Sequence, residues 1–232
     1  MGACSRRALV ASHCQPGAER NELIMNTLSS SRLSQPVTSR DHVRGPESAE
    51  VSVVEYGDFE CPYCRAAEPI VEGIIEALGD QVRVVFRHFP LRQVHPHAEH
   101  AAEVAEAAAA QGKFWEMHDR LFAGQDALDD ANLQKYSAEL SLDAERVRRE
   151  LASHLHAARV REDQDSGVAS GVAGTPTFFI DGTRYDGSVA LDRMLAAILQ
   201  IHADLKVGDT SKTPPRIPRV KWSRTRRQPQ QR

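Results

Sequence analysis

No stretch of this sequence approaches the ~20 apolar residues that a membrane-crossing helix needs, so no transmembrane segment is expected. Net charge is equally scarce. The 29 Lys and Arg against 32 Asp and Glu leave a formal −3, which carries no global nucleic-acid signature, and no such partner is expected. Cysteine is rare, with four in 232 residues. Cys4 and Cys14 fall where there is no apolar periodicity and read as incidental, which leaves Cys61 and Cys64. Targeting signals are missing too. Arg6-Arg7 with Ala8-Leu9-Val10-Ala11 hints at a twin-arginine leader, but the apolar run ends at Ser12-His13, short of the ~7 to 15 residues required. Position six after Met1-Gly2 is Arg6 rather than Ser or Thr, so myristoylation is not supported. The expectation is therefore a cytoplasmic protein, and in a reducing compartment a cysteine pair is catalytic or sensing rather than structural.

What is present suffices for one domain with tails. Hydrophobic residues make up 41% of the chain, enough for a proper core at this length. Residues 1–45 have little apolar pattern and are expected to be disordered or extended, with the domain at 46–205. From Lys206 to Arg232 the chain holds nine basic residues and one acid, Asp209. This Pro-rich tail reads as solvated and disordered, with an anionic surface as its alternative partner.

The chemistry is concentrated in one stretch. A β-branched run at 51–56 leads into Cys61-Pro62-Tyr63-Cys64, and a helical pattern over 62–78 follows at once, with Ile70, Val71, Ile74, Ile75 and Leu78 on one face. Proline at the first helical position gives up an amide that would be unpaired there, so Pro62 fits N1 and Cys61 the N-cap. Unpaired amides and the helix dipole at that end favour negative charge, which lowers a cysteine pKa and makes the thiolate available as a nucleophile. Cys61 is thus the expected attacking sulfur. Cys64, within the first turn and more shielded, is the expected resolving thiol.

A second strand is expected at 81–86, parallel to the first because a crossover helix separates them. Residues 95–171 then read as helical. Phe114, Trp115, His118, Leu121 and Phe122 repeat at helical spacing; Asp129 or Asp130 caps a helix with Leu133, Tyr136 and Leu140; Asp143 caps another with Val147, Leu151 and Leu155 on one face. These stripes read as core, with a substrate groove as the alternative. Thr177–Ile180, Asp181-Gly182 and Thr183–Tyr185 form an expected hairpin, and Leu191 to Leu199 a final helix.

These features together resemble the thioredoxin superfamily, and within it the DsbA-like branch of thiol–disulfide oxidoreductases, including domains attached to sodium/proton antiporters. The resemblance covers about residues 41–201 and implies an α/β, thioredoxin-like fold with a central mixed sheet and an inserted helical subdomain. Because it begins only after Met25, that residue is an alternative start. It implies that Glu55, six residues before Cys61, is a buried acid handling the proton of the resolving cysteine. Pro69 lies where thioredoxins kink this helix, and Gly174-Thr175-Pro176-Thr177 looks like the family's cis-proline loop, packed against the cysteines. Protein thiols and disulfides are the implied substrates, with glutathione or a thioredoxin-type protein as redox partner; no cofactor is implied. Tyr63 replaces the histidine of strongly oxidising DsbA proteins, which implies a midpoint potential on the order of −150 to −230 mV. Two rivals remain. One is a redox-sensing module without turnover. The other is a zinc module using the cysteines with His88, His95, His97 and His100, although His95-Pro96-His97 is poorly spaced for tetrahedral ligation.

Overall fold

The structure, a computed structural model, describes residues 28–208. Six strands, β1 (Leu28–Arg32), β2 (His42–Arg44), β3 (Val51–Gly57), β4 (Val82–His88), β5 (Thr177–Ile180) and β6 (Thr183–Tyr185), form one mixed sheet in the order β1-β6-β5-β3-β4-β2. At its centre β3 and β4 run parallel, from Val51 opposite Val82 to Gly57 opposite His88; the other neighbours are antiparallel. The parallel pair needs a crossover, supplied by α1 (Pro62–Leu78) and a 3-10 turn at Gly79–Gln81. Both faces of β3 are covered, which is why its sequence is nearly continuous in apolar residues.

Side-chain alternation divides the core. Val51 and Val53 point to the face packed by Ile74 of α1 and by Met194 and Ile198 of the last helix, while Val54 and Tyr56 join Phe89, Val172 and Phe179 on the other. Between β4 and β5 lie α2 (Ala98–Ala109), α3 (Phe114–Ala123), α4 (Asp130–Glu139), α5 (Ala144–Ala152) and α6 (Ala157–Ala169); α7 (Leu191–Gly208) follows β6. Asp129 caps α4 through the amides of Ala131 and Asn132, and Asp143 caps α5 through that of Arg146. The helical stripes go to the core: Phe114, Leu121, Phe122, Leu133, Tyr136, Val147 and Leu151 pack in one cluster with Phe59, Phe86, Cys61 and Cys64. The β5–β6 hairpin turns at Asp181 (φ 46°) and Gly182 (φ 76°), the two successive positive values of a type I′ turn.

Three expectations are corrected. Residues 28–45, expected to be disordered or extended ahead of a domain starting at 46, are part of that domain: they supply the strands β1 and β2, which occupy the two outer positions of the sheet. Arg87 of β4 holds the segment between them, donating to both carboxylate oxygens of Asp41, at 2.7 and 3.2 Å, and to the carbonyls of Gln35 and Pro36. Leu155 is not on the Val147 and Leu151 face, because α5 ends at Ala152, and it is exposed. The last helix runs to Gly208, beyond the expected start of the tail at 206. Residues 1–27, including Cys4, Cys14 and the alternative start Met25, and residues 209–232 lie outside the described residues.

Candidate active site

β3 delivers the chain to the site at Gly57, where a Cβ would come within 2.3 Å of the Phe86 ring, so only glycine lets the strand end so close to β4. A turn follows, with the Cys61 amide donating to the Asp58 carbonyl at 3.1 Å. Cys61 then takes the N-cap of α1 in extended conformation (φ −77°, ψ 119°), and Pro62 is the first helical residue. Cys61 is 3% exposed and Cys64 fully buried, while Tyr63 between them is 74% exposed. The motif thus presents one sulfur near the surface, one behind it and an aromatic ring to solvent. From the other side come Thr175 and Pro176, joined by a cis peptide; the Cys61 thiol donates to the Thr175 carbonyl at 3.3 Å.

This seat makes Cys61 acidic. The thiol of Cys64 as hydrogen-bond donor is the largest influence; it outweighs the opposing effect of burial, and with Thr175 and the amides of Cys64 and Tyr63 it lowers the Cys61 pKa to about 5. Among the described residues the Thr175 hydroxyl is buried without a partner while Cys61 is a thiol, and a thiolate is an acceptor for it. Cys64 goes the opposite way. Burial, its bond to Cys61 and the nearby Glu55 carboxyl hold it well above the ordinary thiol range, against one favourable contact from the Asp58 amide at 3.5 Å.

Glu55 lies on the face of β3 that α1 covers, is 1% exposed, and has an oxygen with no hydrogen-bond partner among the described residues. Burial first, then the charges of Glu68 and Cys61, raise its pKa well above the usual carboxylate range. Glu68 is the partner that sequence reasoning missed. It follows Cys64 by four residues on α1, a spacing that could have revealed it, and burial with the neighbouring Asp119 raises its pKa to about 8. Two carboxyls of raised pKa thus stand near the buried Cys64 thiol.

Three further residues fix the loop. Asp58, buried, accepts from the Glu60 and Leu91 amides, each at 2.8 Å, and its Oδ2 meets His95 Nδ1, also at 2.8 Å. Glu60 accepts from the His97 amide at 2.7 Å. Gln125, from the turn after α3, donates to the carbonyls of Phe59 at 2.8 Å and Cys61 at 2.9 Å, tying the helical subdomain to the cysteine loop. Gln125→Ala is expected to remove the donor to the Phe59 carbonyl, while the Cys61 carbonyl keeps the Cys64 and Arg65 amides, and to cost about 1 to 3 kcal/mol in urea unfolding. A loss within error would mean that the amide does not hold the loop. Among the described residues no ligand cluster joins the cysteines to the histidines of the zinc alternative: His88 bonds Glu106, His95 bonds Asp58, and His100 bonds Asp130.

Sheet, inserted helices and a cysteine pair at the start of α1 define a thioredoxin-like architecture of the DsbA type. A thioredoxin family model (Thioredoxin_4) matches residues 37–200, and the chain belongs to that family. It is 51% identical over 170 residues to the Na(+)/H(+) antiporter NhaA 3 of Salinispora tropica, a match covering 72% of this chain and 26% of that protein. The Na(+)/H(+) antiporter NhaA of Herminiimonas arsenicoxydans is 46% identical over 169 residues, covering 72% and 27%. The chain therefore spans about a quarter of the length of these relatives. Among solved structures, oxidised BdbD from Bacillus subtilis superposes with a TM-score of 0.66 at 22% identity, over 75% of this chain and 100% of that one. A thioredoxin-like oxidoreductase from Silicibacter pomeroyi gives 0.65 at 26% identity, over 80% and 99%. Among the described residues no helix is long and apolar enough to cross a membrane.

Proposed function

We propose that this domain is a thiol–disulfide oxidoreductase that exchanges disulfides with polypeptide substrates through Cys61 and Cys64. The observation that carries the reading is the seat of Cys61, at the N-cap of α1 and 3.3 Å from the Thr175 carbonyl, with Cys64 in the turn behind it. From the oxidised pair, a substrate thiolate attacks the Cys61 sulfur, the Cys61–Cys64 bond breaks, and Cys64 leaves with the electron pair and takes a proton. A second substrate thiolate attacks the substrate sulfur of the mixed disulfide, and Cys61 departs as the thiolate it holds readily. The substrate has lost two electrons and the cysteine pair has gained them. In reverse, Cys61 attacks a substrate disulfide and Cys64 resolves the adduct. Glu55 is the group for the Cys64 proton, being buried near it with a pKa that burial raises well above the usual carboxylate range. Pro62 sets the helix start, Tyr63 offers an exposed aromatic surface beside the sulfur, and Thr175 and Pro176 form the opposite wall against which an extended peptide can lie. Glutathione or a thioredoxin-type protein would return the pair to its working state.

The test is trapping. Cys64→Ser, incubated with a peptide disulfide, should accumulate a mixed disulfide at Cys61 that dithiothreitol releases, whereas Cys61→Ser should trap none. Equal trapping by both variants, or none by either, would remove Cys61 from its assigned role.

A second reading rests on the antiporter relatives. A domain similar to a quarter of those proteins could report redox state to a transporter without turning over substrate. Insulin reduction through many cycles supports the enzyme; a single stoichiometric oxidation supports the module.

A further inference from the structure

His100 follows a different course from its neighbours in sequence. It stands on α2 three residues before Glu103, so the two side chains share a face of the helix, and the turn between α5 and α6 brings His154 onto them. His154 Nδ1 is 3.0 Å from Glu103 Oε1, and the two imidazole rings lie 5.7 Å apart at 48°. One candidate ligand atom from each of the three residues falls within 4.8 Å of the others.

An independent observation marks the place as unfinished. Glu103 is 1% exposed, yet its Oε2 has no hydrogen-bond partner among the described residues. A buried carboxylate oxygen without a donor is unfavourable, and a cation is one of the few things that would satisfy it. Around it the remaining requirements are met. Asp130 Oδ1 lies 2.7 Å from His100 Nδ1, which fixes the ring and leaves Nε2 free, the arrangement by which a carboxylate orients a metal-binding histidine. The side chains of His100 and His154 are 37% and 59% exposed, which provides an entry path.

We propose that His100, Glu103 and His154 form a site for a borderline divalent ion of the zinc class, separate from the cysteine pair. Two imidazoles and a carboxylate suit that class of ion, and water completes the coordination. Bound there, the ion joins α2 to the α5–α6 turn and so fastens the helical subdomain that packs over Cys61 and Cys64. The site uses neither cysteine, which distinguishes it from the zinc module weighed on sequence grounds.

The test uses the full chain with all four cysteines replaced by serine, so that no thiolate competes, and circular dichroism to verify folding of each variant. Titration with cobalt(II), followed by zinc(II) competition, is expected to give one equivalent bound with micromolar or tighter affinity and a visible spectrum of nitrogen and oxygen ligation. His154→Ala, and separately Glu103→Gln, should each weaken binding at least about tenfold. His42→Ala, at another histidine cluster, should leave it unchanged. Zinc should raise the Tm of the parent and not that of His154→Ala. Absence of stoichiometric binding by the parent, or a loss of less than tenfold in His154→Ala, overturns the proposal.

Discussion

Alkylation of Cys61 by iodoacetamide is expected to reach half its plateau rate near pH 5, where a free cysteine is still fully protonated. The donors around its sulfur lower the pKa to about 5, with the Cys64 thiol first among them. At pH 6 such a group is about nine-tenths thiolate against roughly 0.3% for an ordinary cysteine of pKa ~8.5, about a 300-fold difference. Nucleophilicity falls with basicity, at a Brønsted slope of ~0.4 to 0.5, so in exchange with a small disulfide at pH 6 the net advantage is about eightfold. Cys64 should stay unreactive until alkaline pH, because burial raises it. The sign of the accompanying stability effect is fixed. A pKa lowered in the folded state stabilises the reduced domain fully above the unfolded value and loses that contribution as pH falls through about 5. Stability of the reduced form relative to the oxidised should therefore climb between about pH 5 and 8.5. A half-point of 8 or above would sink the proposed mechanism along with the measurement.

Arg87→Met is expected to cost about 3 to 5 kcal/mol, roughly a hundred- to several-thousand-fold in the folding constant. The side chains of Arg87 and Asp41 are 4% and 5% exposed, and all five guanidinium hydrogens are used: two on Asp41, one each on the Gln35 and Pro36 carbonyls, and one on the Tyr56 hydroxyl at 3.1 Å. Removing the cation strands a buried carboxylate, which is why the loss should exceed the 0 to ~1 kcal/mol of an exposed pair. Asp41→Asn should fall in the same range, and pairing Arg87→Met with Asp41→Leu should be milder than the sum. Guanidinium titrations with an unchanged m-value would report it. A loss below about 1 kcal/mol would place this contact with surface pairs. Burial alone would raise the Asp41 carboxyl, but Arg87 and the Thr38 amide hold it below its ordinary value. The contribution is therefore present above the unfolded pKa of ~3.9 and lost as pH falls through the lower folded value.

The parts of this fold legible in sequence are those set by local spacing. The strand, the cysteine motif and α1 lie next to each other, and the proline at N1 fixes where the helix starts. The hairpin was equally readable, because Asp-Gly is among the few dipeptides that accept two successive positive φ values. Gln125 gave no signal. It sits in a turn 64 residues from the carbonyl it holds, and only packing brings the two together. β1 was hidden for another reason: Leu-Ser-Ser-Ser-Arg has neither alternation nor β-branched residues, and it becomes a strand because β6 offers it a ladder. Leu155 misled because its helical spacing continues past the end of α5. Glu68 was in plain view, at the helical interval from Cys64, but only the packing that brings Asp119 of α3 beside it makes it a half-buried acid of raised pKa.

Both rims of the sheet are formed by residues that precede the first recognisable motif: β1 lies against β6 and β2 against β4. A chain cut back to residue 46 would keep its cysteines and most of its core, yet would carry two rows of unpaired amides and carbonyls along β6 and β4. Each row is a template for a strand from another molecule. Residues 28–44 therefore put the three-residue β2 at the rim in place of the seven-residue β4, and a boundary drawn at the start of the apolar run would restore the longer open edge.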